Sequence, residues 1–509
     1  MLTVTEGAFH DWANMPLLDM AYGNAMDTDF TLRSWKILKK DMTAKCLNPV
    51  YDNLIKDITL LLGDVEDRGI SVDQEYLKVL DEKLAKTLEV LHKELNELCP
   101  LDEDLNPNSN QQLGKLLFGE EGFGLIPQDF SLKTKAPSIT EEHLNNLTSD
   151  ISCSQEAKDF VKKLLEYKSK TKQYKTYVKG VEAALGWNED GRIYSNYNFT
   201  ATVTGRLSCS KYSAGRTKDM SKGVSFHTLP RPTADSVNIR NLMKADKGKA
   251  FITADFSTAE LRVLAQCCRD ENLIHAFQSG QDLHKYTASL IYGKPPEDIT
   301  KDERQIAKSC SFLIVYGGGP TKLAQQTGKT VDYCKSIFAA YQDSFPKVFE
   351  WIKFVHKFIR KNECAISLFG RRRHLSNVKS PIKKYQFRAL RQGMNFVIQS
   401  SASDMMLHAL KRLDKSLKDK GYDAEILATV HDSVEIQCDY SIVKEVSELV
   451  KRELTDTSDL ERMYHLKFKV PFEVDVEVGK AFGDGIEVEF SKAGEMENLK
   501  EIMGYVQDA

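Results

Sequence analysis

Apolar and polar positions follow two different periods along this chain, and the changes between them divide it. Leu77, Leu80, Leu84, Leu88, Leu91, Leu95 and Leu98 recur at steps of three and four, the spacing of a long helix with a narrow apolar seam, which Pro100 ends. After the turn-rich residues 106–110, Leu113, Leu116 and Leu117 mark a short helix that Ser109 is placed to cap. A second long helical pattern covers 155–185. Its Lys162, Lys163, Lys168, Lys170, Lys172, Lys175 and Lys179 are interleaved with Tyr167, Tyr174 and Tyr177, which fits either a solvated face or a grip on a phosphate backbone.

From Ile193 the texture changes to short strands and turns, with alternation over 192–198 followed by 202–208. A loop rich in Ser, Gly and Lys, from Ser210 to Ser225, is too polar to be core. The apolar strand 250–254 then delivers Asp255. Helical patterns fill most of 258–413, and residues 424–436 read as two strands joined by a tight turn at His431-Asp432. Residues 1 to about 45 hold only short apolar-periodic segments, part of a domain rather than a whole one.

The 509 residues are long enough for about three or four domain-sized units. With 41% hydrophobic residues, neither disorder nor a disulfide-stapled scaffold is indicated. The ten cysteines are scattered without a CxxC pair, as expected of reduced thiols in an intracellular protein. No apolar run is long enough to cross a bilayer and no charged-then-apolar signal opens the chain, so a soluble protein with no membrane partner is expected. The net charge of −3 does not discriminate, since a nucleic-acid enzyme can concentrate its cations on one face.

Two features carry candidate chemistry. Arg304, Lys308, Phe312 and Tyr316 recur every four residues, so on a helix they form one slowly turning stripe of two cations and then two aromatics. Such a stripe suits a nucleotide laid lengthwise, triphosphate at Arg304 and base near Tyr316, although alone it also fits an ordinary amphipathic helix. Two carboxylates, Asp255 and Asp432, each end an apolar strand. Brought together on adjacent strands they would share two divalent cations about 3.5–4 Å apart, the arrangement that serves phosphoryl transfer. Hard oxygen ligands of this kind select Mg²⁺ over zinc.

Residues 255–262 (Asp-Phe-Ser-Thr-Ala-Glu-Leu-Arg), the Arg304/Lys308/Phe312/Tyr316-Gly317 helix and Val430-His431-Asp432 resemble, in order and chemistry, the three polymerase motifs of family A DNA polymerases. Supporting segments are Thr204-Gly205-Arg206-Leu207-Ser208, Asp282-Leu283-His284, Leu368-Phe369-Gly370-Arg371-Arg372, and Arg391 with Asn395 and Gln399. The resemblance spans about residues 49–485 and implies an α+β right hand: a helical thumb over 49–187, a palm with an antiparallel sheet over 188–268 and 395–509, and helical fingers over 269–394.

It also implies template-directed addition of dNTPs to a primer 3′-hydroxyl, with primer-template DNA and dNTPs as partners. Asp255 and Asp432 would hold two Mg²⁺ ions, while Arg304, Lys308 and His284 bind the triphosphate and assist pyrophosphate departure. Phe312 and Tyr316 would contact sugar and base, and Glu260 would lie under the sugar and exclude a 2′-hydroxyl. Arg206, Arg391, Asn395, Gln399 and His431 would touch the terminal pair, partly in the minor groove, where contacts are degenerate in sequence. In this family a Phe at the position of Phe312 goes with discrimination against dideoxynucleotides.

The chain departs from the family pattern in several places. Ser433 stands where a glutamate usually follows the second aspartate, with Glu435 on the same strand face. Thr258 and Ala259 replace a usual Gln and Ile, and the 210–225 loop adds Lys211, Arg216, Lys218 and Lys222 as candidate DNA contacts. Residues 1–48 resemble only the tail of a 3′-to-5′ exonuclease domain, with Asp27 matching one carboxylate and Tyr22 offset by one. No exonuclease activity is expected from this chain alone, and a separate exonuclease or a processivity factor joins the expected partners. The absence of a 5′-nuclease and the Tyr316-Gly317-Gly318-Gly319 run give a phage-like cast. Two other readings stay open: a single-subunit RNA polymerase, against which Glu260 argues, and a non-catalytic replisome scaffold, made conceivable by Ser433.

Overall fold

A computed structural model describes residues 15–101, 104–127, 129–130, 135–149, 153–211, 223–230 and 237–507. The short segments expected before residue 45 are instead one helix, α1 (Leu17–Ala44), none of whose residues is buried. No proline interrupts the stretch, and the Trp35 ring lies 5.4 Å from that of Tyr51 just beyond its end. Tyr22 and Asp27 both sit exposed on this helix.

The chain enters its core through α2 (Lys56–Arg68), which buries Ile58, Leu61, Leu62 and Val65. Gly69 then turns it with φ +62°, and a Cβ there would meet the Tyr194 ring at 2.7 Å, so only glycine fits. Strand β1 (Ile70–Val72) follows within the 49–187 region expected to be a helical thumb, and it belongs to the large sheet. Helix α3 (Gln74–Glu97) starts at Asp73, whose carboxylate accepts from the N–H groups of Glu75 and Tyr76 at 3.1 and 2.9 Å. Helix α4 (Asn110–Phe118) is capped by Ser109 as its sequence predicts, with Gln112 N–H donating at 3.3 Å. The lysine-rich pattern is α5 (Gln155–Gln173), which continues through a wide turn at Tyr174–Val178 into Lys179–Leu185.

Leu91 and Leu95 of α3, Leu113 and Leu117 of α4, and Phe160 and Leu164 of α5 form a separate core at the far end of this helical arm. Two of the lysines staple the arm internally, Lys163 to Glu94 at 2.8 Å and Lys179 to Asp81 at 2.7 Å. Others, such as Lys162, Lys172 and Lys175, remain exposed.

The sheet is antiparallel throughout and assembles strands from across the chain: β1, β2 (Arg192–Ile193), β3 (Met243–Lys244), β4 (Lys249–Phe256), β5 (Ala424–Val430), β6 (Ser433–Asp439), β7 (Val474–Ala481) and β8 (Asp484–Glu487). Their order is β2-β1-β3-β7-β4-β6-β5, with β8 beside β7. Residues 202–207 form turns rather than a strand, and only Ser208–Lys211 pairs back, onto Ser195–Asn198. Ile252 and Ala254 of β4 belong to one continuous apolar core with Leu61 of α2 and with Leu407, Leu410 and Leu413 of the 38-residue helix α9 (Lys383–Lys420). Between β4 and α9 lie α6 (Ala259–Cys268), α7 (Leu283–Tyr292), α8 (Lys301–Val315) and further helices. Among the described residues no helix is long and apolar enough to cross a membrane.

Within α9, Asp404 is fully buried and accepts from Arg371 Nε at 2.7 and 2.9 Å. Burial pushes its carboxyl up to about 6 even against the pull of that guanidinium. The Arg371 side chain in turn closes over Gly205, where an added Cβ would lie 3.1 Å from it at φ +77°. The residues around Arg206 are thus held by a buried ion pair.

Ile252 is fully buried on the central strand. Ile252→Ala is expected to cost about 2–5 kcal/mol by urea unfolding, the range for a large-to-small change in a close-packed core, and a loss under about 1 kcal/mol would contradict this packing.

Candidate active site

Strands β4 and β6 pair with Asp255 directly opposite Ser433, the residue after Asp432. The Phe256 N–H donates to the Asp432 carbonyl at 3.1 Å, so the two aspartates end up on adjacent backbones at one edge of the hairpin. The turn between β5 and β6 is the two residues His431-Asp432, as predicted, and His431 takes φ +59°. Tight hairpins need positive φ in the turn, and a non-glycine residue held there stores on the order of 1 kcal/mol of strain. The His431 ring lies 5.0 Å from that of His227, whose Nε2 is 3.0 Å from the Thr429 carbonyl.

After β4 the chain turns through Thr258, also left-handed at φ +50°, into α6, whose first turn carries Glu260. Glu260 is buried and accepts from Arg206 Nη2 at 2.5 Å, and the same nitrogen is 3.8 Å from Asp432 Oδ1. Tyr316 stands beside Glu260; burial first, and then that carboxylate, push its phenol up to about 12. A continuous line therefore runs from Asp432 through Arg206 and Glu260 to Tyr316.

Helix α8 begins with a reciprocal cap between Thr300 and Glu303 and carries Arg304, Lys308 and Phe312. Tyr316 is the capping residue just past its last turn rather than a helical one, with its N–H on the Phe312 carbonyl at 3.0 Å. Gly317 follows at φ +67°, where a Cβ would come within 2.8 Å of Arg391 Cγ, so glycine is required for α8 and α9 to meet here.

Arg304 is not a free cation. Its Nε and Nη2 donate to Asp282 Oδ2 at 2.8 and 2.6 Å, and Asp282 also caps α7. Burial alone would raise the Asp282 carboxyl, but Arg304 and the Lys285 N–H together hold it below its usual range. Lys308 is half-buried with no ion-pair partner among the described residues. His284 is buried 6.0 Å from the Phe312 ring, with Nδ1 unpartnered; burial, and then Lys308, push it down to about 4, so it is neutral at pH 7. Thr258, Arg262, Asp282, His284 and Arg304 line a cavity of about 230 Å³.

Arg391, Asn395 and Gln399 lie on successive turns of α9. Arg391 is exposed, and Asn395 and Gln399 do not bond to each other among the described residues, since Asn395 Oδ1 is buried without a partner. Of the thirteen residues singled out from the sequence, Asp255, Asp432, His431, Arg206, Glu260 and Tyr316 gather around the carboxylates and Arg304, Lys308, Phe312 and His284 around α8, with Arg391 packed against Gly317; Asn395 and Gln399 follow Arg391 along α9. Arg216, Lys218 and Lys222 lie outside the described residues, while Lys211 ends the strand Ser208–Lys211.

Sequence reasoning assigned no role to three carboxylates that lie near these residues. Asp282, known there only as part of a motif, is the partner of Arg304. Asp404 anchors Arg371. Asp475 sits opposite Asp255 on the other side of β4, with burial and then Glu487 raising its carboxyl; the strict alternation of residues 474–478 was the signal for it. Ser433 is buried and donates to Glu435 Oε1 at 2.6 Å, and Thr253 Oγ1 donates to Glu435 Oε2 at 2.6 Å. Burial pushes the Glu435 carboxyl up to about 7.

A paired-carboxylate hairpin on an antiparallel sheet, facing a helix that presents cations and aromatics, is the site plan of a nucleotide-polymerising fold. Residues 74–484 match the DNA polymerase family A profile, and the chain belongs to that family. It is 31% identical over 446 residues to the thermostable DNA polymerase I of Thermus caldophilus, covering 87% of this chain and 49% of that protein. It is 30% identical over 470 residues to DNA polymerase I of Chloroflexus aurantiacus, covering 92% and 47%. The chain thus spans about half the length of the curated relatives it matches. Among solved structures, the POL domain of Pol1 from M. smegmatis, in complex with DNA primer-template and dNTP, superposes with a TM-score of 0.75 at 26% identity, over 88% of this chain and 73% of that one.

A histidine that is harder to protonate when folded favours unfolding as it gains a proton. The stability that His284 contributes is therefore full above pH 6.5 and lost as pH falls toward 4. His284→Phe is expected to flatten the decline in thermal stability across that window by up to about 3 kcal/mol, read from melting temperatures against pH. A parallel decline in variant and parent would contradict the buried, neutral state.

Proposed function

We propose that this chain is a DNA-dependent DNA polymerase, adding dNTPs to a primer 3′-hydroxyl as the template directs. The observation that carries this reading is the line from Asp432 through Arg206 and Glu260 to Tyr316, which joins the carboxylate hairpin to the cationic face of α8. In this reading the helical arm within 49–187 is the thumb, 188–268 and 395–509 are the palm, and 269–394 are the fingers. Strand β1 and helix α2 go with the palm, because they pack into its sheet and core.

The family is metal-dependent. Asp255 and Asp432 fit Mg²⁺: they are hard oxygen donors on neighbouring strands, and Mg²⁺ is ordinarily held by one or two carboxylates and substrate phosphates rather than by a cage of side chains. When bound, two such ions would lower the pKa of the primer hydroxyl and neutralise charge at the α-phosphate.

The chain's own groups do the rest. Lys308, without a carboxylate partner among the described residues, would pair with the triphosphate. Arg304 reaches the same face while Asp282 fixes its fork, and neutral His284 offers a hydrogen bond without adding charge. Phe312 and Tyr316 give flat faces for sugar and base. Glu260, buried and held by Arg206, leaves a 2′-hydroxyl facing a carboxylate where the sugar would lie, which favours dNTPs over NTPs. Arg206, Arg391, Asn395, Gln399 and His431 would touch the terminal base pair.

Primer extension tests this reading. Extension with dNTPs and Mg²⁺ is expected from the unmutated chain, with Asp432→Asn slower by roughly a thousandfold or more, equivalent to several kcal/mol of transition-state stabilisation. No incorporation by the unmutated chain would overturn the proposal, and equal use of NTPs would turn it toward an RNA polymerase. A second measurement addresses the sugar contact: Phe312→Tyr is expected to raise dideoxynucleotide use relative to dNTP use by about tenfold or more, the worth of one added hydroxyl contact. Unchanged discrimination would remove Phe312 from the sugar site.

A further inference from the structure

Glu435 is fully buried beside the carboxylate hairpin, and none of the roles proposed above uses it. Taking a carboxylate out of water is costly unless a cation answers it, yet no lysine or arginine forms an ion pair with it among the described residues. Arg240 acts on it only from a distance. Its two oxygens are taken by two hydroxyls instead, Ser433 Oγ on Oε1 and Thr253 Oγ1 on Oε2, each at 2.6 Å.

The position of those hydroxyls is what gives Glu435 its meaning. Ser433 follows Asp432 in the chain and faces Asp255 across the sheet, while Thr253 precedes Asp255 by two residues on the same face of β4 and faces Glu435. One carboxylate therefore ties the strand that starts directly after Asp432 to the strand that carries Asp255. The backbone ladder sets strand spacing, but it leaves the side chains of that face free to lean. The Glu435 bridge restrains them. Thr429 Oγ1 adds a brace from β5 by donating to the Ser433 carbonyl at 3.1 Å. An apolar residue at 435 would fill the same space without the desolvation cost, so packing alone does not account for a carboxylate here.

We propose that Glu435 is a positioning residue that sets the arrangement of Asp255 and Asp432 through Ser433 and Thr253, and thereby the affinity of that pair for divalent cations. The inference rests on the reading of the pair as a polymerase metal centre. It explains how Ser433 serves beside Asp432 without a charge of its own: its hydroxyl is a link to a carboxylate two residues on.

The test compares Glu435→Val and Glu435→Gln with the unmutated protein in three measurements: thermal unfolding, Mn²⁺ binding from the free-ion EPR signal with primer-template present, and steady-state extension. Glu435→Val is expected to melt no lower than the parent, to bind Mn²⁺ at least fivefold more weakly, and to lose at least tenfold in kcat with the dNTP KM within twofold. Glu435→Gln keeps one acceptor oxygen for one hydroxyl and is expected to fall between. Affinity and kcat within twofold of the parent in Glu435→Val would overturn the proposal. So would equal losses of stability, affinity and kcat in both variants, which would make Glu435 a packing residue only. If the unmutated chain binds Mn²⁺ but extends no primer, while Glu435→Val still weakens binding, the positioning role stands and the polymerase reading fails.

Discussion

The register between β4 and β6 is the constraint on which the rest of the site depends. Side chains on a strand alternate between faces, so a slip of one residue would turn Asp255 away from the hairpin that carries Asp432 and bury a carboxylate in the core. Several independent features hold the register. Ile252 and Ala254 must face the core shared with α9, the two-residue turn fixes where β6 starts, and Thr253 and Ser433 both reach Glu435. Apolar burial supplies most of the driving force, and the turn and the hydroxyl pair choose among the ways to achieve it.

From that hairpin outward, positive charge is placed by negative charge. Arg206 is oriented by Glu260, Arg304 by Asp282, and Arg371 by Asp404, each through short hydrogen-bonded contacts. A guanidinium left free on the surface samples many rotamers, whereas one forked against a carboxylate waits in a single orientation, so less freedom remains to be lost when a phosphate arrives. Lys308 is the exception. It has no ion-pair partner among the described residues and places its charge in the middle of the α8 stripe, between the fork of Arg304 and the rings of Phe312 and Tyr316.

Much of this was legible in the amino-acid sequence because it is local. The leucine seam of α3, the serine cap of α4, the tight turn at His431-Asp432 and the four-residue spacing of the α8 stripe each depend on residues within a few positions of one another. The order of the polymerase-like motifs was legible for a related reason, since each motif is short and chemically distinctive. Where the local reading failed, the missing information was tertiary. The first helix reads as several short segments because its apolar positions are too scattered to show one continuous period. Ile70–Val72 was absorbed into a helical region because a three-residue strand carries too few positions to show a period.

The chain by itself thus determined its helices, its hairpin and the inventory of groups able to handle a nucleotide, because propensity, capping and turn chemistry act over one or two turns of backbone. Only the folded structure decided which of those groups meet. The pairing of Arg304 with Asp282, 22 residues away, of Arg371 with Asp404, 33 away, and of Thr253 with Glu435, 182 away, follows from how sheet and helices pack, and no spacing in the chain encodes it. The physical reason is that hydrogen bonds and ion pairs select their partners in space, after apolar burial has brought distant segments together.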